Sequence, residues 1–363
     1  MARMSEIEWE PCLLSQRPAP ELERRFARET GRPGKMMRYF EGSKWLGDVI
    51  VRVSVQLMTF VHVDPDLVDQ AGLIVAQDNS CRFCFGVQRT FLRVLGMPEK
   101  KINLLEQDLL TGDFSPREKA ALKFARQISQ SKPLVTPKDA EALLEFDFSK
   151  DEIIELSGLI GLHLLLNRMS TFVALPPQPQ ENFPDQWWVK LAKPLIALKF
   201  KQMRKHPKLV ADSRTDNQGP MSAVTNALAP LPMAEDFRQM LDGLWFNSSL
   251  SPRTVTLLFG VVGRALGSAR CEEQARKMLL DDGLTDAEIG QILDHLASPA
   301  LTEVEALLIP LARETVWYQP AKIQRRCAKV QDMVSHEQFL DFLGGVSLLN
   351  AVCRLGFLVE FKP

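Results

Sequence analysis

Ser115-Pro116-Arg117-Glu118-Lys119-Ala120-Ala121-Leu122-Lys123-Phe124-Ala125-Arg126-Gln127-Ile128 decides the fold class. Its serine is an N-cap type, its proline suits the first helical position, and its glutamate can return a hydrogen bond to the N-cap amide. The stretch therefore predicts a helix start. The same box recurs at Ser149 with Glu152, Thr285 with Glu288, Thr302 with Glu305 and Ser335 with Gln338. Each opens a segment with apolar residues at helical spacing, as in EIIELSGLIGLHLLL (152–166) and EALLIPLA (305–312). Alternating β-branched runs flanked by hairpin turns are few, so the fold class is read as all-α.

Outward from that box the two halves align. Cys84 pairs with Cys271, Gly96 with Gly283, Ile102 with Ile289, Ser115/Glu118 with Thr302/Glu305, and Ala125-Arg126 with Ala312-Arg313, all at one interval of 187 residues. Near the ends, LLLN closing at Asn167 matches SLLN closing at Asn350 with a small slip. This predicts an internal duplication; two unrelated helical domains sharing capping grammar are the alternative. The expected organisation is an N-terminal extension at 1–36, a first module at 37–178, a linker at 179–235 and a second module at 236–363.

The linker begins in the proline-rich PPQPQENFPDQ (176–186) and continues as WWVKLAKPLIALKFKQMRKHPKL (187–209), with seven Lys/Arg residues from Lys190 to Lys208 and no acidic one. A basic amphipathic helix can lie on a membrane or dock a partner. The commoner use of such a linker is to pack its apolar side on its own domains.

Composition bounds the function. At 363 residues, 45% hydrophobic and 25% charged, the chain is long enough for two globular cores, and its formal charge of -1 gives no electrostatic reason for nucleic acid as the main partner. The first residues, MARMSEIEWEPCLLSQ, contain no apolar signal region, and the longest apolar run, around His163, is too short to span a bilayer. A cytoplasmic protein without a transmembrane segment is expected. Six cysteines do not make a disulfide framework in a chain of this size, and a close pair in a reducing compartment reads as catalytic or metal-binding. Cys12, Cys327 and Cys353 read as incidental thiols, and Trp45, Trp245 and Trp317 as packing anchors. No phosphate-binding glycine loop or dinucleotide fingerprint is present, and no cofactor is expected.

The close pair is Cys81-Arg82-Phe83-Cys84, after Gln77-Asp78-Asn79-Ser80. Asp78, Asn79 and Ser80 are cap types, with Ser80 the expected N-cap of a helix running from Cys81 to Leu95 before Gly96. Both sulfurs then lie in the first turn on one face, within reach of a local disulfide. The free amides of a helix start favour thiolate, and Arg82 and Arg89 add positive charge. Other readings compete. A structural zinc site needs four ligands, yet no second Cys-x-x-Cys or spaced His pair is present, so no metal is expected. A thioredoxin-like site needs a βαβ context. Two inert core cysteines remain an alternative.

At these residues the sequence resembles the alkylhydroperoxidase D and carboxymuconolactone decarboxylase superfamily. Its peroxidase branch carries a glutamate, Cys-x-x-Cys twelve residues on, and a histidine four residues after the second cysteine. The resemblance covers Asp64 to Leu175, and LSPRTVTLLFGVVGRALG (250–267) looks like the start of a second copy. It implies two alkylhydroperoxidase D-like helical modules packed as an internal pseudo-dimer. It also implies that Cys84 is the peroxidatic thiolate, that Cys81 is the resolving thiol and that Asp69 stands for the glutamate. Gln88 replaces the relay histidine, and it cannot accept a proton at neutral pH. His163 and His62 are the histidines of module one that could substitute. In module two, Ser268-Ala269-Arg270-Cys271, Thr256 and Ala275 hold the places of the dithiol, carboxylate and histidine, which implies a structural partner.

The expected function is a thiol-dependent antioxidant peroxidase or disulfide reductase. Its partners would be an organic or hydrogen peroxide, a thiol or dithiol electron donor and, as an oligomer, a second copy of the chain. The alternative is a non-catalytic binding or scaffold protein that kept the fold and lost the proton relay. Decarboxylation of a small cyclic acid is a third reading, without support from a dithiol.

Overall fold

The structure is a computed structural model describing residues 4, 7–107, 112–130, 132–177, 186–204, 206–207 and 219–361. Most of the proline-rich exit and the linker from 208 to 218 lie outside the described residues. The first half contains α1 (Pro20–Thr30), α2 (Lys44–Gln56), α3 (Pro65–Asp78), α4 (Arg82–Leu95), α5 (Glu99–Gln107), α6 (Pro116–Ser129), α7 (Pro137–Glu141) and α8 (Lys150–Phe172). The linker forms α9 (Trp187–Met203). Then follow α10 (Ser222–Ala227), α11 (Pro232–Phe246), α12 (Pro252–Leu266), α13 (Ala269–Asp281), α14 (Asp286–His295), α15 (Glu303–Glu314), α16 (Pro320–Gln331) and α17 (His336–Arg354). No strand occurs among the described residues, so the fold is all-α.

All five capping boxes read from the sequence form. At α6 the Glu118 amide donates to Ser115 Oγ (3.1 Å) and the Ser115 amide donates to Glu118 Oε2 (2.8 Å). Each such cap satisfies donors that the helix itself cannot, typically worth about 1 kcal/mol. Helix starts recur at the interval of 187 residues: Pro65 and Pro252, Arg82 and Ala269, Glu99 and Asp286, Pro116 and Glu303. α11 begins at Pro232, four residues ahead of the expected start of the second module.

α8 and α17 are apolar nearly all round and are buried along most of their length, packed on each other at the centre of the molecule. The segment His336–Val359 is long and apolar enough to cross a membrane, but 89% of its apolar window is buried inside the fold, as in a core helix. The two halves share one core. Trp45 of α2 lies where a Cβ on Gly243 of α11 or Gly344 of α17 would approach it to 2.7 or 2.9 Å, and its indole Nε1 donates to the Met240 carbonyl (3.1 Å). Only glycine at those two positions lets the indole sit this close. Buried Asp341 joins the seam by accepting from Ser43 Oγ and from the Ser249 amide (2.7 Å).

The N-terminal extension belongs to this core. Leu14 and Phe26 are buried, the Leu13 amide donates to the Val173 carbonyl (3.0 Å), and Gln331 Nε2 donates to the Leu13 carbonyl (3.1 Å). Linker helix α9 packs one side on the first half: Val189 is buried, and Phe200 stacks edge-on against Phe91 of α4 at 5.3 Å. Of the expected tryptophan anchors, Trp45 and Trp245 are buried, whereas Trp317 is 42% exposed beneath the Lys132 ammonium.

Candidate functional site

The dithiol sits in the turn between α3 and α4. Ser80 does not cap α4 as expected. It takes φ 51° in the left-handed region and closes α3: its amide donates to the Gln77 carbonyl (3.0 Å), and the Cys81 amide donates to the Ala76 carbonyl (2.9 Å). That is the Schellman pattern, which satisfies the last carbonyls of a helix. Having closed one helix, Ser80 is turned away from the next, and Cys81 becomes the N-cap of α4. The Cys84 amide donates to Cys81 Sγ (3.1 Å). The Cα atoms of Cys81 and Cys84 are 5.3 Å apart, with their sulfurs in disulfide contact. Cys81 is buried, and Cys84 is 9% exposed.

The turn is braced from three directions. Asn79 Nδ2 donates to the Val75 carbonyl (2.8 Å) and to Ser129 Oγ (3.1 Å). The Thr171 hydroxyl, 2.8 Å from the Asn167 carbonyl of its own helix, also lies 3.0 Å from Asn79 O and 3.3 Å from Ser80 O, and the Tyr318 hydroxyl donates to Asn79 O (2.9 Å). Tyr318 lies in the second half of the chain, so the dithiol turn of one half is held by the other.

Asp69 lies on α3, one turn before Gly72. Arg204, just past the end of α9, reaches it with Nη2 at 2.5 Å from Oδ2 and also pairs with Asp66 at 2.9 Å. Burial pushes the Asp69 carboxyl up to about 7, with the Arg204 guanidinium offsetting part of the rise. Gly72 marks where the other candidates meet. A Cβ there would lie 2.7 Å from His163 Cε1 and 3.1 Å from Gln88 Cδ, so α8 delivers His163 beside the residue that stands in the histidine position on α4. His163 is buried, which lowers its pKa to about 4 and keeps the ring neutral at physiological pH. Gln88 Oε1 is buried without a hydrogen-bond partner.

Gly72→Ala is therefore expected to force His163 and Gln88 apart and to cost about 1–3 kcal/mol in urea denaturation. An unchanged midpoint would mean that the two side chains do not converge on this point.

The other candidate relay, His62, is placed elsewhere. It is a loop residue whose amide donates to Glu155 Oε2 (2.6 Å), between Val61 and Val63 amides bonded to the same carboxylate. Among the described residues no hydrogen bond or ring contact joins its imidazole to the dithiol.

The two arginines expected to favour the thiolate are both engaged. Arg82 donates to the carbonyls of Ala174 (2.6 Å) and Leu175 (2.9 Å) and stacks over Trp9. Arg89 is neutralised by Glu99 and by Glu106 (3.1 Å). Asp78, a cap type by sequence, is instead a buried acid at the end of α3, where burial raises its carboxyl to about 7 beside Arg126 (3.3 Å). The residues that sequence reading missed here, Arg204, Tyr318, Thr171 and Arg126, share one property: each reaches the site from a distant segment. The basic run containing Arg204 was the single signal available.

In the second half the corresponding positions hold packing groups. Thr256 accepts from Trp245 Nε1 (3.1 Å), and Ala275 lies against Gly260. Cys271, in the first turn of α13, is hydrogen-bonded to Cys353 of α17, which lowers its pKa, while burial raises that of Cys353. A cleft of about 610 Å³ between α2 and α11 is lined by Lys44, Trp45, Arg52, Gln239, Met240 and Gly243 among others, and by none of the dithiol-site residues. Among the described residues no group of three or more His, Cys, Asp or Glu side chains could hold a metal ion.

No curated protein and no solved structure matches the chain. A family model described as "Carboxymuconolactone decarboxylase family" matches residues 232–314, the stretch from the start of α11 to the end of α15, beyond the dithiol. That match covers less than a quarter of this all-helical chain and makes the stretch similar to the carboxymuconolactone decarboxylase family, consistent with the alkylhydroperoxidase D-like superfamily.

Proposed function

We propose that the protein is a thiol-dependent peroxidase that cycles Cys81 and Cys84 between dithiol and disulfide. The observation that carries this reading is the pair itself: two sulfurs in contact at the start of α4, one of them receiving the Cys84 amide. The Cys84 thiolate attacks the terminal oxygen of a hydroperoxide, breaks the O–O bond and releases an alcohol, leaving a sulfenic acid. The Cys81 thiol condenses with it and water leaves. An external thiol or dithiol donor, oxidised in turn to its own disulfide, returns two electrons and two protons. Such a cycle suits a reducing compartment, in keeping with a cytoplasmic location.

Gln88 cannot take the Cys84 proton, and His163 is too weak a base to hold it. Asp69, poised near neutrality by burial, is the acceptor this reading assigns, with water between them. The sign follows from the charge. Below about pH 7 the carboxyl is protonated and cannot accept; above it the carboxylate can. Oxidation of the dithiol is expected to quicken as pH rises through about 7, and Asp69→Asn is expected to remove that step. The measurement is thiol alkylation with mass mapping of Cys81 and Cys84 after one equivalent of cumene hydroperoxide, repeated from pH 5.5 to 8.5. A wild-type profile identical to that of Asp69→Asn would refute the assignment.

The common interval of helix starts supports an internal duplication, in which 37–178 carries the dithiol and 236–363 is its packing partner. A second reading, a binding protein that kept the fold without the chemistry, draws on the Arg204 guanidinium seated on Asp69. In that case both thiols survive the peroxide.

A further inference from the structure

The linker helix has two faces, and among its described side chains those of one face are used by the fold. Val189, Phe200, Met203 and Arg204 turn inward: Phe200 meets Phe91, Met203 Cε lies 3.2 Å from where a Cβ on Gly31 would sit, and Arg204 grips Asp69. On the opposite side Trp187, Leu195 and Leu198 stand 75%, 72% and 53% exposed. These positions follow one another at helical spacing, so they form a single stripe along α9. Trp187 and Leu195 are the two most exposed large apolar side chains among the described residues.

The flanks of the stripe are basic. Lys199 and Lys201 are exposed and make no ion pair among the described residues, and no acidic residue occurs between Gln186 and Leu209. The chain as a whole carries a formal charge of -1, so this concentration of positive charge is local. A convex helix surface with leucines along its crest, lysines at its sides and an indole at one end matches the composition of interfacial helices. Such a helix sinks its apolar stripe to the acyl boundary and places ammonium groups among anionic headgroups. A protein-binding groove is concave, whereas this surface is a single ridge.

We propose that the outward face of α9, Trp187, Leu195 and Leu198 flanked by Lys199 and Lys201, docks the protein onto an anionic lipid bilayer. The bilayer then lies across one helix diameter, about 10 Å, from the carboxylate that Arg204 holds. The proposal concerns binding alone and stands apart from the peroxidase reading.

The test is co-sedimentation of the full chain with phosphatidylcholine vesicles, with and without phosphatidylserine. Wild-type protein is expected to sediment with the phosphatidylserine vesicles, to remain in solution with phosphatidylcholine alone, and to be released by high salt. Leu195→Glu combined with Leu198→Glu is expected to lower the bound fraction by about tenfold or more with an unchanged melting temperature, because both positions are exposed in the fold. Lys199→Glu with Lys201→Glu provides a second variant that leaves the apolar stripe intact and should bind as poorly. Wild-type protein that stays in the supernatant with phosphatidylserine vesicles, that binds both vesicle types equally, or that binds no better than the variants overturns the proposal.

Discussion

Cys84→Ser is expected to abolish oxidation of the site by hydroperoxide, lowering peroxide consumption by about a hundredfold or more. Cys81→Ser is expected to behave differently: the first step proceeds, and the protein stops at a Cys84 sulfenic acid that dimedone traps. The asymmetry follows from the α3–α4 turn. Cys84 lies inside the first turn of α4 and retains 9% exposure, whereas Cys81 is 1% exposed and serves as the N-cap, accepting the Cys84 amide. The less buried sulfur meets the oxidant, and the enclosed one resolves it. Rates of peroxide consumption with dithiothreitol as donor, together with mass mapping, decide the matter. If both serine variants consume peroxide as fast as the wild type, the dithiol is not the reacting group.

Glu155→Ala is expected to cost about 3–5 kcal/mol of stability. Glu155 is fully buried in α8 and accepts from three consecutive amides: Val61 at 2.6 Å, His62 at 2.6 Å and Val63 at 2.8 Å. Alanine would leave all three donors unpaired in the interior and remove a charge-assisted acceptor. The loop they belong to enters α3 through the Asp64 cap, so its release would also loosen the helix that carries Asp69 and Gly72. Urea denaturation gives the stability change, and hydrogen exchange at residues 61–63 should report faster opening there. A loss below about 1 kcal/mol would contradict the view that this carboxylate organises the loop.

Much of the molecule was legible before its structure. The capping boxes, the dithiol and the linker helix were read from neighbouring residues, because a cap depends on groups three positions apart and an amphipathic stripe on groups three or four apart. The misreading of Ser80 has the same origin. Serine suits an N-cap by type, but here the preceding helix had first claim on it. Its left-handed backbone closes α3, and the cysteine sulfur caps α4 instead.

The electrostatics of the site escaped the sequence. Arg82 and Arg89 stand close to the cysteines along the chain, yet carbonyls at the end of α8 and carboxylates on α5 take them up. The cation that does meet a site residue, Arg204, lies 135 residues from Asp69, and Tyr318 lies 239 residues from the Asn79 carbonyl it braces. His163 reads in sequence as one polar residue in an apolar helix. Only the packing of α8 across Gly72 puts it beside Gln88.

The sequence by itself determined the helical class, the helix starts marked by capping boxes and the presence of a dithiol near the start of another helix, since these rest on hydrogen bonds and side-chain periodicity within a few residues. Tertiary structure alone decided which groups face the dithiol turn, which charges are neutralised and which face of α9 remains open. Those outcomes depend on burial and on contacts between segments far apart in the chain, and desolvation acts on a carboxyl or an imidazole only once the helices have closed around it.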